Sequence, residues 1–323
     1  MLTGADSEAL TAGILILNWN GRELLREHLP SVMAAAGHSG IAVAVVDNGS
    51  TDDSLGFLAR DYPQVLAIPL AENRGFGGGY NAAMRRVPWD VVILLNNDMA
   101  VRDDFADHLL EPFRYEDSLF AVSSQIFFQD QLVRREETGR TSARFNRGEL
   151  QCAHFPVGAG EEIVPVFWLG GGSAAVSREK FETLGGFEEL YSPFYVEDVD
   201  LSFRAWQRGW PTLLAPRSKV IHKHRGSTGR LDPQYVEGII ARNRLLFVWL
   251  NIRDRRLLVQ HLVWLLWRVV RRRGDDAPGL RPLVAALKYL PAVLERRKSA
   301  FQLIAFRDTE ILALFSQDPE WNS

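Results

Sequence analysis

The chain has 323 residues, of which 46% are hydrophobic and 24% charged, a globular composition with room for one large α/β domain or a domain plus an appendage. Its formal net charge of -3 excludes the basic footprint of a general nucleic-acid binder. A lone cysteine, Cys152, excludes an internal disulfide framework and a cysteine-rich metal cluster, and fits a reducing compartment.

Met1 to Ala12 has no basic stretch ahead of an apolar run, so no secretory signal is expected there. No stretch reaches the roughly 18 to 20 apolar residues that span a bilayer. The expected location is the cytoplasm, with contact at the inner face of the cell membrane left open.

Gly13 to Trp19 (GILILNW) reads as a buried strand, followed by a polar turn and a helical pattern at Leu24, Leu25, His28, Leu29 and Val32. Ile41 to Val46 is a second buried strand. It ends in Asp47 to Asp53, where Ser50 or Thr51 is expected to cap the next helix. Further strands are expected at Val65 to Leu70 and Val91 to Leu95. Apolar strands alternating with amphipathic helices predict an α/β fold, a mostly parallel sheet covered on both faces. Ligands then sit beyond the C-terminal strand ends, where Asn18, Asp47, Asn73 and Asp98 fall.

After Asp98 the rhythm changes. Asp130 to Gly160 reads as a long loop or small insertion over the site, and strand-like order returns at Ile163 to Val176, broken by Gly170-Gly171-Gly172. Beyond about residue 235 the chain turns helical and basic. The expected division is a catalytic domain over 1–234, with halves at about 13–100 and 120–230, and a basic amphipathic helical extension over 235–323.

Two acidic clusters carry the chemistry. Asn96-Asn97-Asp98 offers hard oxygen ligands at a strand end, suited to Mg²⁺ or Mn²⁺, although a simple turn has the same composition. His222 follows a final strand and can complete such a shell, and His224 would face the same side. Glu197-Asp198-Val199-Asp200 precedes a helix, where carboxylates also serve as caps. Three of them exceed the need of a cap, and neighbouring like charges raise one another's pKa. A carboxylate so poised can take the proton of an attacking hydroxyl.

Two glycine-rich segments flank these clusters. Asn73 to Asn81 (NRGFGGGYN) matches neither the P-loop nor the G-x-G-x-x-G spacing. Its glycines suit close approach of a helix N-terminus to a donor, and Arg74 either meets a phosphate or stands in solvent. Trp168 to Ser173 (WLGGGS) brings backbone close to a sugar or phosphate through Gly171, with Trp168 beside it, or else forms a bulge.

Together these motifs resemble the family 2 nucleotide-sugar glycosyltransferases of GT-A fold, and most closely their rhamnosyltransferase-like branch. The matching segments are ILILNWNG, VVDNGSTDDS, ENRGFGGGYNAAM, VILLNNDM, the GGGSAAVSREKFETLGGFEELYSPFYVEDVDLSFRAWQRGW block and VIHKHRGST, in the family's order over about residues 13 to 230. The resemblance implies a Rossmann-like sheet with a C-terminal helical extension. It implies that Asp47 binds the nucleoside, that Asn18 and Asn73 line the base pocket, and that Asp98 and His222 hold a divalent metal on the diphosphate. Asp198 would be the catalytic base, with Glu197 and Asp200 in support, Asp200 orienting the segment or meeting the acceptor. The family's Asp-x-Asp reads Asn96-Asn97-Asp98 here, one carboxylate fewer for the ion.

The implied reaction is inverting transfer of a sugar from a nucleoside diphosphate to a saccharide or lipid-linked saccharide hydroxyl, in cell-surface polysaccharide synthesis. The branch suggests dTDP-rhamnose, and UDP-galactose, UDP-glucose and UDP-N-acetylglucosamine are also compatible. A sugar-1-phosphate nucleotidyltransferase and a non-catalytic sugar-nucleotide-binding protein are the rival readings.

Arg253 to Arg273 carries seven Arg and one Asp. On a helical wheel Gln260, Trp264, Arg268 and Arg271 form one stripe, and Leu and Val fill the broad remainder. Such a helix either lies in an anionic membrane surface or packs on the catalytic domain or a second subunit of a homo-oligomer.

Overall fold

The structure is a computed structural model and describes residues 10–129, 134–157, 160–222, 232–270, 280–299, 304–317 and 321. Strand β1 (Ala12–Asn18) leads into helix α1 (Arg22–Ser39), whose Leu25, Leu29, Val32 and Ala36 bury one face and which stops at Gly40 in a left-handed conformation. Then follow β2 (Ala42–Asp47), α2 (Ser54–Asp61), β3 (Leu66–Pro69), α3 (Gly75–Met84) and β4 (Val91–Asn96). These four strands pair in parallel in the order β3-β2-β1-β4. In β1, β2 and β4 the Val, Ile and Leu residues other than Leu17 are buried on both faces of the sheet, while edge strand β3 buries only Ile68.

Beyond β4 the sheet becomes mixed. Short β5 (Met99–Val101) and helix α4 (Phe105–Leu110) precede β6 (Ala121–Gln129) and β7 (Arg134–Thr138). The expectation of a loop over Asp130 to Gly160 is corrected here. β7 pairs with β6, and β8 (Arg140–Asn146) and β9 (Glu149–Phe155) form a hairpin of their own. Polar and charged side chains mask its strand period, and Ala143 and Leu150 are the residues that anchor it in a core.

After β10 (Val164–Pro165), strand β11 (Ser173–Ser177) enters antiparallel between β4 and β6. Helices α5 (Arg178–Thr183) and α6 (Glu197–Gln207) and strand β12 (Thr212–His222) complete the sheet, β12 lying parallel to β6. The C-terminal part is helical: α7 (Pro233–Asn251), α8 (Arg255–Val270), α9 (Arg281–Leu287), α10 (Leu290–Ser299) and α11 (Asp308–Ser316).

Three hydrophobic clusters fill the molecule. One lies under α1 and α4, and a second lies under α3 and α5 on the opposite face of the sheet. The third unites β8, β9, α6 and the C-terminal helices around Phe167, Phe203, Phe247 and Phe315. Helix α6 serves two of them. Leu201 and Ala205 face the sheet, while Val199, Phe203 and Trp206 face α7 and α11. Residues on either side of position 234 therefore share one core.

Helix α7 also grips the chain that leads into α6. Asn243, fully buried, donates through Nδ2 to the carbonyls of Tyr191 (2.8 Å), Phe194 (3.0 Å) and Tyr195 (2.8 Å). Arg242 donates to the Ser192 carbonyl at 2.6 Å. The grip is needed because Tyr195 (φ 70°) and Val196 (φ 79°) are both left-handed, which costs an L-residue roughly 1–2 kcal/mol each. Asn243→Ala strands these carbonyls and is expected to lower stability by about 2–3 kcal/mol in urea denaturation.

Candidate active site

The C-terminal ends of β1, β2 and β4 are stitched by side-chain amides. Asn18, fully buried, donates to Asp47 Oδ1 (3.2 Å) and accepts from Asn97 Nδ2 (2.8 Å). Asp47 Oδ2 takes the backbone N–H of Ser50 (3.1 Å), shaping the turn after β2. Asn48 donates to Asn73 Oδ1 (3.1 Å) and the Gly75 carbonyl (2.9 Å), and accepts from the Arg74 backbone N–H (2.9 Å). That ties the start of α3 to β2. Sequence reasoning did not single out Asn48, and it read Asn97 as part of a metal-binding motif and not as a tie to Asn18. The only signal was that each stands beside an Asp just after an apolar strand.

Ser50 and Thr51 do not cap α2, contrary to expectation. Ser50 Oγ accepts from the Asn20 backbone (2.9 Å), and Thr51 donates to Asn20 Oδ1 (2.7 Å from its N–H). The helix starts later, and Asp52 Oδ1 takes the Ser54 N–H at 3.1 Å.

Helix α3 lies unusually close to the sheet. A Cβ at Gly79 would sit 2.7 Å from Leu17 Cδ1 and 3.1 Å from Asn48 Nδ2, so glycine is required there. Asn73 and Arg74 are exposed at the helix N-terminus, where free backbone N–H groups favour an anion.

Asp98 and His222 meet although 124 residues separate them in the chain. The antiparallel pairing of β5 with β12 places Met99 opposite His222. Asp98 is nearly buried, and its Oδ1 has no well-formed hydrogen bond but lies 3.2 Å from His222 Nε2. Two neighbouring ligands of an octahedral ion at about 2.1 Å from the metal stand about 3 Å apart, so this pair fits a divalent cation. Among the described residues no third His, Cys, Asp or Glu joins them, which leaves positions for phosphate oxygens and water. His224 lies outside the described residues.

The acidic segment stands at the start of α6. Asp198 is partly buried, and Val199 N–H donates to its Oδ1 at 2.8 Å. Burial pushes its carboxyl up to about 6, against backbone hydrogen bonds from Val199 and Gly171 that hold it down. Glu197 is more deeply buried, with Oε2 unpartnered, and burial together with the Asp198 charge pushes it up to about 8. Burial raises both carboxyls, and the neighbouring charge of Asp198 raises Glu197 further.

Asp200 points the other way. It is 1% exposed and bonds to Tyr191 Oη (2.9 Å), Arg204 Nε (2.7 Å) and Asn251 Nδ2 (2.7 Å). Of the two roles expected for it, this position can only orient the segment. Trp168 is also buried, packed edge-on to His154 at 4.9 Å, and its backbone is locked to Thr141 Oγ1. Its place is under the glycine loop.

That loop joins the two clusters. Leu169 N–H donates to Ser202 Oγ of α6 (3.0 Å), and the Gly172 carbonyl accepts from the Asn96 N–H (2.9 Å). A Cβ at Gly171 would meet Asp198 Oδ2 at 3.3 Å, and one at Gly172 would meet Asn96 Nδ2 at 3.0 Å. The loop thus touches both segments, meeting Asp198 at Gly171 and meeting Asn96 and Met99, near neighbours of Asp98 in the chain, at Gly172.

Comparison with known proteins bears on this site. The family model for glycosyl transferase family 2 matches residues 14–163. The N-acetylglucosaminyl-diphospho-decaprenol L-rhamnosyltransferase of Mycobacterium tuberculosis is 30% identical over 217 residues, which is 60% of this chain and 69% of that protein. This chain belongs to glycosyl transferase family 2.

The O-antigen biosynthesis protein RfbC of Myxococcus xanthus is 26% identical over 220 residues, 65% of this chain but 17% of that one. Among solved structures, GalNAc-T7 with UDP, GalNAc and Mn²⁺ superposes with a TM-score of 0.63 at 15% identity. The match covers 91% of this chain and 57% of that one. The mannosyltransferase PcManGT of Pyrobaculum calidifontis, with GDP-Man and Mn²⁺, gives 0.52 at 17% identity, over 91% and 74% of the two chains. These likenesses establish the GT-A fold, and with the family they make this chain a glycosyltransferase.

The loop floor of this family 2 member leaves no room for a side chain beside Asp198. Gly171→Val is expected to displace that carboxylate and cut transfer about 100-fold, the cost of a misplacement near 1 Å. Initial rates beside a melting curve check this, since the substitution adds its bulk at the cleft and not in a hydrophobic core.

Proposed function

We propose that this glycosyltransferase transfers rhamnose from dTDP-rhamnose to a hydroxyl of a lipid-diphosphate-linked saccharide, with inversion at the anomeric carbon. The observation that carries the reading is the glycine loop that touches both segments, with Asp198 against Gly171 and with Asn96 and Met99, which flank the Asp98–His222 pair, against Gly172. Similarity to a rhamnosyltransferase acting on a lipid diphosphate supports the donor and acceptor classes.

The residues divide the work by their surroundings. Asp47, with Asn18 behind it, faces the nucleoside, and Asn73 and Arg74 with the α3 N-terminus face the diphosphate. Asp98 and His222 hold Mg²⁺ or Mn²⁺, which when bound supplies positive charge against the departing diphosphate. Asn96 and Gly171 line the sugar side. Asp198 accepts the acceptor hydroxyl's proton as its oxygen bonds to the anomeric carbon, while the bond from that carbon to the diphosphate oxygen breaks and dTDP leaves with the electron pair. Glu197, held protonated, adds no second charge beside the base. Asp200 orients α6, and Trp168 supports the loop.

Asp198→Asn is expected to keep nucleotide-sugar affinity, read by calorimetry, and to lower turnover about 10³-fold, within the range of general-base removal. Glu197→Gln, which mimics the protonated acid, is expected to stay near wild-type activity. Equal loss in both variants, or near-normal transfer by Asp198→Asn, would remove Asp198 from this role.

The raised pKa also sets a sign. The base works only ionised, so turnover should be level above neutrality and fall as pH drops through about 6. Each further pH unit below that removes about tenfold. A profile level to pH 4 contradicts the assignment.

The donor is testable by thermal shift. With Mn²⁺, dTDP-rhamnose at about 100 times its Kd should add about 2.7 kcal/mol and raise Tm by roughly 5 °C, more than UDP-sugars do. Asp98→Ala should abolish the metal-dependent part of that rise. A larger rise with a UDP-sugar would replace the donor and leave the reaction type intact.

A further inference from the structure

Helix α8 carries apolar side chains on both its inner and its outer face, unlike an ordinary surface helix. Its inner face also holds His261 and Arg268. Leu257, Leu258, Trp264 and Leu265 pack on the third core. His261, 1% exposed, accepts from Trp249 Nε1 at 2.9 Å, so its Nδ1 bears the proton given to the Gly148 carbonyl at 2.6 Å. Arg268 lies over Trp264 and pairs with Glu149 at 3.1 Å. The fit is tight, for a Cβ at Gly148 would stand 2.7 Å from Trp264 Cβ.

Of the stripe read from the helical wheel, Trp264 and Arg268 are therefore docked, while Gln260 is exposed. What α8 turns away from the protein is Val259, Leu262, Val263, Leu266, Trp267 and Val270, all 53–81% exposed. A continuous apolar surface of this kind marks an interaction site. Arg255 and Arg256 are exposed at its N-terminal end, α8 contains no acidic residue, and the sequence continues beyond it with Arg271 to Arg273.

We propose that this outward face of α8 lies in the surface of an anionic membrane. A row of aliphatic and tryptophan side chains beside arginines is the chemistry of an interfacial helix. A second copy of the chain fits less well. Sixteen residues make a strip about 24 Å long and about 10 Å wide, near 240 Å², far below the roughly 800 Å² per partner of a stable complex.

The placement connects to the cleft. Glu149, which holds Arg268, begins β9, and the same strand carries Cys152, near enough to Asp198 for that carboxylate to help raise its thiol, pushed up to about 12 mainly by burial. A membrane on the α8 face would thus lie beside the hairpin that flanks the acidic segment. The inference does not depend on the donor or acceptor proposed above.

The test is flotation of the full chain with phosphatidylcholine vesicles containing phosphatidylglycerol, against phosphatidylcholine alone, for wild type and Leu262→Glu/Leu266→Glu. Both substituted side chains are exposed, so melting curves should coincide. The wild type should float with the anionic vesicles, and the double variant should lose at least tenfold in partitioning (about 1.4 kcal/mol). Wild type that stays unbound, a variant that floats equally, or equal binding to both vesicle types overturns the proposal. So does a wild-type dimer in sedimentation velocity that the variant splits while neither form binds vesicles.

Discussion

The architecture depends on how α6 is held. Its N-terminus must present a partly buried carboxylate to a cleft, and the chain reaches it through two consecutive left-handed residues, one of them β-branched. Such a backbone persists only where its surroundings determine it more than once. Asn243 and Arg242 do so from outside by taking the carbonyls of the entry loop, and Asp200 does so from inside by binding Tyr191, Arg204 and Asn251. Since Asn243 and Asn251 belong to α7, the C-terminal helices are part of the frame of the site.

Burial acts differently on the three acids of that segment. Asp200 is compensated by an Arg and two neutral donors, which hold it in a structural network. Glu197 lacks such partners, and retaining its proton is the cheaper solution to desolvation. Asp198 lies between them, with backbone N–H groups offsetting part of its burial. Neighbouring carboxyls of one helical turn therefore stand in different surroundings, Asp200 bound by three donors, Glu197 unpartnered at Oε2 and Asp198 held by a backbone N–H. On the donor side Asp98 Oδ1 lies 3.2 Å from His222 Nε2 and makes no well-formed hydrogen bond.

Much of this was legible beforehand where chemistry is local. The apolar runs ending in Asn18, Asp47 and Asn96 report buried parallel strands, because an uninterrupted Ile, Leu and Val run has few other stable settings. The hairpin over β8 and β9 was not legible, since one face carries Arg, Asn and Gln and its apolar anchors are few. Nor were the roles of Asn48 and Asn97, whose amides matter through partners on other strands.

The sequence by itself determined the alternation of elements, the family, and which acidic, amide and histidine residues stand at element ends, because those follow from neighbours a few positions apart. Tertiary structure alone decided which of them meet. Pairing of β5 with β12 brought Asp98 to His222, and the glycine loop lies against Asp198 at Gly171 and against Asn96 and Met99 at Gly172. It also decided which face of α8 is hidden. A helical wheel ranks side chains by polarity, but packing is set by the complementary surface on offer, and here the Gly148 turn, Trp249 and Glu149 favour the aromatic and cationic stripe.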